Sequence, residues 1–361
     1  MKTKIFAMYL PQYHEIPEND EFWGKGFTDW NGVKNAKPLF KNHDQPRIPL
    51  NNNYYDLSKE ENVLEQVKLA KEYGIDGFGI YHYWFNDEKN LLTKPSEILL
   101  SHKEADISFF FAWDNISWKR TWSKIKGNDW APISEKDKDN KGPEILIEHK
   151  LGNEDSWIKH FNYLLPFFKD ERYVKKDGMP VFLIYHVEDG IFSMMEYWNK
   201  LAKENGFNGI YYIFRHDILN DLPTSLPTFC YEPSCSGWSS LVQRVKRRLF
   251  KNGVKIYDYD KIWKKIITKA KEDKNPNLYY GAFVGYDDTP RRGEKGTIIK
   301  NSSPEKFARY LENLFDISNK KQKDFIFLTA WNEWGEGAYL EPDTNKKYSY
   351  LEAIKSIKSK K

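Results

Sequence analysis

Two glutamates separated by two residues follow an apolar run near the end of the chain. The stretch "FLTAWNEWGEGAYLEP", residues 327–342, turns polar at an asparagine and then presents Glu333 and Glu336. Gly335 and Gly337 permit a sharp turn that would bring both carboxyl groups to one cavity. Two carboxyl groups across one sugar ring are the usual means of breaking a glycosidic bond, one as acid and the other as base or nucleophile. We therefore predict that Glu333 and Glu336 are catalytic; an exposed acidic turn is the alternative.

Aromatic side chains are frequent and stand beside polar residues where apolar runs end. Phe, Trp and Tyr make up 16% of the 361 residues, with 13 Trp. Sugars stack their C–H faces on rings and need fixed donors and acceptors for their hydroxyls, so these positions predict a carbohydrate site. The candidates at the run ends are His14, His82, Tyr83, Trp113, Asn115, Tyr185, Asn332 and Trp334. Packing of the rings and a core position for each histidine are equally open alternatives.

Eight short apolar runs recur along the chain and predict the elements that position these residues. They span residues 4–11, 74–84, 107–115, 180–186, 209–216, 228–233, 279–288 and 325–334. Most are continuously apolar, as strands of a parallel sheet buried on both faces are. Helical spacing fills the intervals, as in 59–74, which ends at Gly74, and in 303–317, which opens with Ser303 as N-cap and Pro304.

This alternation predicts an α/β fold, a single (β/α)₈ barrel covering residues 1–361, since no linker divides the chain. A doubly wound open sheet is the alternative, but it would carry a phosphate-binding glycine loop after its first strand, where "YLPQYHE" stands instead. Barrel enzymes keep their catalytic residues at the carboxyl ends of the strands.

Two segments that follow predicted strands are longer than structureless loops in compact domains usually are. They are βα loop 1, residues 11–58, and βα loop 3, residues 115–154. We predict that they form the walls of a glycan cleft, because they carry Trp23, Trp30, Trp118, Trp122 and Trp130 on otherwise polar chain.

The net charge and the cysteine content indicate which partners, metals and cofactors to expect. The net charge is +4, from 56 basic and 52 acidic residues, which gives no reason to expect nucleic acid. Cys230 and Cys235 are too few for a disulfide framework and lack the second pair that a zinc site would normally need, so we expect reduced thiols, no metal and no cofactor. The basic segment 244–255 is typical of a solvated helix face; weak contact with an anionic membrane surface is the second interpretation.

The sequence also bears on where the protein resides and on the role of the arginines in "DDTPRRG", residues 287–293. The first 15 residues lack the apolar core and cleavage site of a secretory signal, and no stretch approaches a membrane span, so we expect a cytoplasmic protein. Arg291 and Arg292 could hold a carboxylate or phosphate of an acidic sugar or nucleotide. A salt bridge within the loop to Asp287 or Asp288 is the favoured alternative.

Four segments together resemble the glycoside hydrolase family 99-like proteins, which include bacterial WbsX-type proteins labelled glycosyltransferases and found with surface-polysaccharide genes. The segments are residues 9–30, 73–85, 287–293 and 330–343. The resemblance implies a (β/α)₈ barrel that acts on α-mannoside-type linkages with retention and without a metal. It also implies that Glu333 deprotonates the sugar's 2-hydroxyl, which attacks its own anomeric carbon to form a 1,2-anhydro sugar. Glu336 would protonate the leaving oxygen and then activate water.

One segment, "WDNISWKRTW" at 113–122, departs from the family pattern. Ile116 stands where the family has a carboxylate and Thr121 where it has an arginine, and both differences bear on the substrate. The matching residues, which we add to the candidates for substrate binding, are Trp113, Asn115, Trp118, Arg120 and Trp122.

Three functions are compatible with these patterns: a glycoside hydrolase, a glycosyltransferase or transglycosylase of O-antigen or capsule biosynthesis, and a non-catalytic glycan-binding barrel. A binding module has no need of both Glu333 and Glu336, which disfavours the third. A nucleotide-sugar transferase would normally carry an open sheet and often an Asp-x-Asp motif, for which the lysine-rich "KDKDN" at 136–140 is a poor candidate. Hydrolase chemistry on an oligosaccharide or polysaccharide is therefore the favoured prediction.

Overall fold

Eight parallel strands close into a barrel in the computed structural model, which describes residues 2–119, 145–216, 225–237 and 253–360. The strands are β1 (Lys4–Tyr9), β2 (Gly77–Asn86), β3 (Ser108–Trp113), β4 (Met179–Ile184), β5 (Tyr211–Arg215), β6 (Thr228–Phe229), β7 (Leu278–Phe283) and β8 (Phe325–Thr329). Each pairs in parallel with the next, and β1 also pairs with β8, where Lys4 faces Phe325. The predicted (β/α)₈ barrel is confirmed.

Helices alternate with the strands and cover the outside of the barrel. They are α1 (Glu60–Glu72), α2 (Lys94–Ser101), α3 (Glu154–Lys169), α4 (Ile191–Glu204), α5 (Tyr259–Glu272), α6 (Pro304–Lys320) and α7 (Ser349–Ser359). Local chemistry sets their ends: Ser303 Oγ accepts a hydrogen bond from Lys306 N at 3.3 Å, and Gly74 follows α1 with φ +81°. No helix in these ranges is long and apolar enough to cross a membrane.

Close-packed rings fill the barrel interior. Phe110 lies 5.3 Å from Phe6 and 5.7 Å from Phe327, measured between ring centroids. On β2, Gly77 and Gly79 make room for these rings, since a Cβ would come within 2.5 Å of the Phe6 ring and 2.6 Å of the Phe110 ring. The interior is therefore a core, and a substrate site is expected at the mouth of the barrel.

Long segments at the carboxyl ends of the strands build up that mouth. Loop 1, after β1, contains short helices at Pro17–Trp23 and Trp30–Asn35 and a 3₁₀ turn at Leu50–Asn52. In loop 3, Trp118–Lys119 pairs antiparallel with Ile145–Ile147. Arg120, Thr121, Trp122, Trp130 and most of the basic segment 244–255 lie outside the described residues.

A further long segment, which the sequence did not predict, follows β7. It holds the short helix Thr289–Arg292, a 3₁₀ turn at Gly293–Lys295 and the strand Thr297–Lys300, which pairs with Lys255–Asp258. This segment carries Arg291 to the mouth beside the residues that follow β8.

Candidate active site

Glu333 and Glu336 lie on a small hairpin that follows the last barrel strand. We expected Glu333 to end that strand, but β8 ends at Thr329, and Asn332–Glu333 pairs instead with Ala338–Tyr339. The 3₁₀ turn Trp334–Glu336 joins the two arms, and Gly337 has φ +57°, a left-handed conformation that suits glycine. The expected turn therefore exists and brings both carboxyl groups to one side of the hairpin.

One guanidinium binds both glutamates. Arg291 Nη2 donates to Glu333 Oε2 at 3.1 Å, and Nη1 donates to Glu336 Oε1 at 2.9 Å. Asp29 of loop 1 accepts from the same arginine, from Nη2 at 2.9 Å and Nε at 3.3 Å. Three carboxyl groups from distant parts of the chain thus share one cation, and the two glutamates lie on its two neighbouring terminal nitrogens.

Burial shifts the pKa of the Glu333 carboxyl group. It raises the pKa of Glu333 from an ordinary value of 4.5 to about 8. Arg291 opposes this shift in pKa, whereas Glu336 and Asp29 add to it. The Glu336 side chain is more exposed, 21% against 7% for Glu333. Two carboxyl groups of one hairpin therefore experience different environments, as acid–base pairs in enzymes commonly do.

Gly335 allows the arginine to approach the hairpin. A Cβ at this position would lie 2.6 Å from Arg291 Nε and 2.7 Å from Asp29 Oδ2. Real side chains do not tolerate such distances, so the ion cluster requires glycine here.

The hairpin is fixed to the rest of the barrel mouth by buried hydrogen bonds. Tyr13 Oη donates to Asn332 O at 2.6 Å and accepts from Trp334 N at 3.1 Å. The Asn332 side chain accepts from Leu10 N at 2.7 Å and donates to Leu10 O at 2.9 Å. These bonds join the segment after β8 to the segment after β1 and hold the glutamates in place.

Four tyrosines, two on β2 and one just past the end of each of β4 and β6, lie beside Glu333 at the mouth. They are Tyr81, Tyr83, Tyr185 and Tyr231. Burial raises the pKa of each, and the Glu333 carboxyl raises it further. The Tyr81 and Tyr231 hydroxyls are 3.0 Å apart, while the buried Tyr185 Oη has no hydrogen bond of good geometry within the described residues. This tyrosine group offers hydroxyls and ring faces, which suit a sugar.

A second pair of opposite charges lies beyond the tyrosines. Arg215, at the end of β5, stacks over Tyr231 at 4.5 Å and over Tyr185 at 5.6 Å from the ring centroids. Burial raises the pKa of Asp114, after β3, to about 6, and Arg215 and His149 oppose that rise. The Asp114 carboxyl also raises the pKa of Tyr83 and of Tyr185, so it borders the same tyrosine group as Glu333 does.

Comparison with known proteins identifies the family. A family model described as "Glycosyltransferase WbsX" matches residues 5–354. The chain belongs to the WbsX family. Two proteins of Xanthomonas campestris pv. campestris, both named "Uncharacterized protein WxcX", are 29% identical over 367 residues. Those alignments cover 98% of this chain and 49% of each relative, so the chain spans about half the length of the curated relatives it matches.

Solved structures share the fold of this WbsX-family chain. The GH99 endo-alpha-mannosidase from Bacteroides thetaiotaomicron matches with a TM-score of 0.54 and 13% identity, covering 99% of this chain and 96% of that one. A structure described as a glycoside hydrolase-like protein matches with a TM-score of 0.57 and 13% identity, covering 99% and 94%. The predicted resemblance to family 99 is thereby confirmed at the level of fold.

Several residues predicted for the WbsX-family site face away from the mouth. Side chains alternate along β2, so Tyr81 and Tyr83 face the mouth while His82 and Trp84 face α3. His82 Nε2 lies 2.8 Å from His160 Nε2, and burial lowers the pKa of His82 to about 3. The structure therefore places His82 in the core, the alternative that we had left open.

Three predicted tryptophans also lie in packed positions. Trp30 Nε1 donates to Tyr55 O at 2.8 Å, and Trp113 Nε1 donates to Trp84 O at 2.9 Å. Trp334 stacks on Tyr339 with centroids 3.7 Å apart and donates to Glu341 Oε2 at 2.6 Å. Their polar groups are satisfied within the protein, so packing accounts for them.

The remaining candidates are Asn115, Trp118, Trp23 and His14. Asn115 bridges loops, since its Nδ2 donates to His186 O at 2.8 Å and to Glu188 Oε1 at 2.7 Å. Trp118 is buried and packs on Tyr83 at 5.5 Å. Trp23 is buried near Phe27. Burial lowers the pKa of His14, and the nearby charges that act on it are Asp56 and Lys94.

The arginine interpretation requires a correction. We favoured a salt bridge within the loop, which holds for Arg292, whose Nε lies 3.2 Å from Asp288 Oδ2, but not for Arg291. Asp287 is engaged elsewhere, by His43 and Gln45 of loop 1, each at 2.9 Å. Burial alone would raise the pKa of Asp287, but these bonds and the nearby Arg47 lower it to about 2. Arg291 is consequently left to the two glutamates and Asp29.

Sequence reasoning missed Asp29, Arg215 and Tyr231 as site residues. Arg215 and Tyr231 stand at or just past the ends of predicted strands, so the strand-end rule could have found them. Asp29 lies within loop 1, 262 residues from Arg291, and no local pattern indicates it.

Proposed function

We propose that this WbsX-family protein is a glycan-active enzyme with glycoside hydrolase chemistry, cleaving α-mannoside-type or related linkages of a bacterial surface polysaccharide with retention. The observation that carries the proposal is the pairing of Glu333 and Glu336 on one partly buried guanidinium at the mouth of a (β/α)₈ barrel. Aromatic hydroxyls next to this pair supply the surface that a sugar requires.

The proposed reaction assigns one role to each glutamate. Glu333 removes the proton from the 2-hydroxyl, O2 attacks C1, and the C1–O bond to the leaving group breaks as Glu336 donates its proton to the leaving oxygen. Water then attacks C1 of the 1,2-anhydro sugar and gives a proton to Glu336, while O2 regains its proton from Glu333. Two inversions at C1 give net retention, and neither glutamate becomes covalently attached to the sugar.

The environment of Glu333 suits a base for a weakly acidic hydroxyl. A carboxylate whose pKa is raised to about 8 holds a proton more strongly than an ordinary glutamate, and proton transfer from a sugar hydroxyl gains driving force accordingly. Arg291 restrains the rise in pKa, so that the ionised form needed for catalysis is still populated near neutral pH.

Charge in the described part of the site favours hydrolase chemistry over transfer from a nucleotide sugar. Arg291 already serves three carboxyl groups and is poorly placed to bind a diphosphate as well. Transglycosylation remains the second candidate, because a sugar hydroxyl could replace water in the second step. The description of the family as glycosyltransferases supports this second candidate.

The test uses the purified chain with surface polysaccharide oligosaccharides and, separately, with nucleotide sugars and the same acceptors. We expect new reducing ends or transglycosylation products whose anomeric configuration, followed by NMR, is retained at first release. Glu333→Gln and Glu336→Gln should each slow product formation from these oligosaccharides by ~10²-fold or more. Metal-dependent transfer from UDP- or GDP-sugars would overturn the proposal.

The neighbouring-hydroxyl mechanism has its own test. A 2-deoxy analogue of a cleaved substrate lacks the attacking oxygen and should be inert with the unmodified enzyme. A 2-fluoro sugar should leave the protein mass unchanged. A covalent glycosyl adduct on Glu333 would show instead that this residue is an ordinary nucleophile.

A further inference from the structure

Two thiols and a carboxylate converge next to β6, outside the candidate active site. A sulfur of Cys230, a sulfur of Cys235 and a carboxylate oxygen of Glu232 all lie within 4.8 Å of one another, and all three residues are buried. They occupy a Cys-x-Glu-x₂-Cys segment in which Cys230 N bonds to Tyr279 O of β7 at 3.1 Å, and Cys235 N bonds to Tyr231 O at 2.9 Å. The backbone thus holds the three side chains together.

The carboxylate is oriented by its own neighbour. Ser236 Oγ donates to Glu232 Oε1 at 2.6 Å, and Ser236 N donates to Oε2 at 3.0 Å. Ser236 therefore holds both oxygens of the carboxylate in place. Outer hydrogen bonds of this kind are typical of metal-binding carboxylates.

A cavity of ≈ 370 Å³ opens onto the same three residues. His216 and Lys269 also line it, and Glu272 lies on its wall. The cavity is large enough for water, so it offers both an entry path and room for an exogenous fourth ligand.

We propose that Cys230, Glu232 and Cys235 form a zinc-binding site whose fourth ligand is a water molecule from this cavity. Thiolate and carboxylate are both zinc ligands, and two thiolates select zinc over the hard cations magnesium and calcium. Two thiolates and one carboxylate bring a charge of about −3, which a divalent ion reduces to about −1.

Lys269 completes the charge balance. Its Nζ donates to Cys235 O at 3.0 Å, to Ser236 Oγ at 3.3 Å and to Cys235 Sγ at 3.8 Å. One ammonium next to a metal complex of net charge about −1 offsets that charge, which is favourable in a low-dielectric environment. Bound zinc would tie the segment after β6 to α5, which carries Lys269.

Cobalt substitution tests the site directly, because Cys230 and Cys235 are the chain's two cysteines. The intact protein is stripped with a chelator under reducing conditions and titrated with Co²⁺. We expect one equivalent to bind with thiolate-to-cobalt charge-transfer absorption and tetrahedral visible bands, and zinc to displace it. Any thiolate band must come from this pair, so the wild-type spectrum decides the question even where a variant folds poorly.

Variants separate the ligands from the cavity wall. Glu232→Gln should weaken zinc binding at least ~10-fold, in the range known for perturbed zinc sites. Glu272→Gln removes an equal charge from the same cavity and should leave zinc affinity unchanged. Absence of the thiolate band, equal alkylation of both cysteines with and without zinc, or a Cys230–Cys235 disulfide in place of bound metal would each overturn the proposal.

Discussion

The Arg291 guanidinium sets the protonation of the candidate site at the scale of single residues. Burial disfavours the charged form of Glu333, and Arg291 is the nearby cation that opposes this effect on its pKa. The same guanidinium donates to Glu336 and Asp29, so it also fixes the relative positions of the two glutamates. Position and pKa therefore depend on one side chain.

Removing the guanidinium should shift the pH dependence of activity. The proposed base must be ionised, so the ascending limb of the kcat/KM profile should follow the Glu333 pKa of about 8. In Arg291→Gln the pKa of Glu333 loses its lowering influence, so the ascending limb should move to higher pH, and kcat/KM at pH 7 should fall by ~10²-fold or more. Arg291→Lys should shift the limb less, because the charge remains.

Arg292→Gln is the matched control for that series. Arg292 is the next residue, carries the same charge, is 54% exposed and pairs with Asp288 rather than with the glutamates. Its pH profile should overlay that of the wild type. An Arg291→Gln enzyme with an unshifted limb would show that Arg291 does not tune the Glu333 pKa.

The two glutamates should fail differently when each is changed to Gln. Glu336→Gln should slow substrates with poor leaving groups by ~10²-fold or more, the range of general acid catalysis, and slow activated aryl glycosides far less. Glu333→Gln should slow both, because the 2-oxygen is no longer deprotonated. The measurement is the rate of each variant on each type of substrate. If Glu336→Gln slowed both types equally, the assigned roles would be wrong.

At the scale of elements, the sequence indicates strands and helices well because their local signals are strong. Continuous apolar runs marked the strands, and Ser303, Pro304 and Gly74 marked helix ends at their observed positions. Which side chains face the mouth was not available from the same runs. Both faces of a barrel strand are buried and apolar, so periodicity could not tell that Tyr81 points to the mouth and His82 to α3.

Contacts between distant elements were equally out of reach. Asp29, Arg291 and Glu333 come from loop 1, the segment after β7 and the hairpin after β8. Nothing in the spacing of such residues along the chain encodes their ion pairs, which form only once the barrel has closed. The motif around Glu333 could be recognised, whereas its charge partners required the fold.

The hairpin turn should be intolerant of any side chain at Gly335. In Gly335→Ala, Cβ would meet Arg291 Nε at 2.6 Å and Asp29 Oδ2 at 2.7 Å, so the ion cluster must open or the turn must move. We expect kcat/KM to fall by ~10²-fold, because a displacement of about 1 Å at a catalytic group has that effect. The circular dichroism spectrum should stay that of the wild type.

Gly237→Ala serves as the control for this substitution. Within the described residues its Cβ would meet ordinary contacts, 3.5 Å to Ile262 and 3.8 Å to Pro233, in the short helix Ser234–Gly237. Activity should be unchanged in Gly237→Ala. Full activity in Gly335→Ala would mean that the three carboxyl groups need not share Arg291 for catalysis.

At the scale of the whole molecule, a nearly balanced net charge of +4 conceals an uneven distribution of buried acids. Burial raises the pKa of Glu333 to about 8, of Glu341 to about 7 and of Asp288 to about 6. Each of these groups binds a proton in the folded state at pH values where the unfolded chain has lost it. The site and its support therefore reduce the stability of the fold as pH rises, a cost commonly associated with functional sites.

Glu333→Gln should accordingly stabilise the protein, and by an amount that depends on pH. Between pH 4.5 and about 8 the folded wild type retains the Glu333 proton and the unfolded chain does not, so its free energy of unfolding falls with rising pH. The slope is at most about 1.4 kcal/mol per pH unit. Gln cannot ionise and lacks this slope, so the Tm of the variant relative to wild type should increase from pH 5 to pH 8. Above pH 8 the difference should stay constant, because the glutamate is then ionised in both states.

Thermal unfolding at fixed ionic strength measures this difference, with Glu61→Gln on the exposed face of α1 as a control that should not change the pH dependence. A Tm difference independent of pH between 5 and 8 would show that Glu333 is already ionised in the folded protein, and the tuned-base role would have to be abandoned.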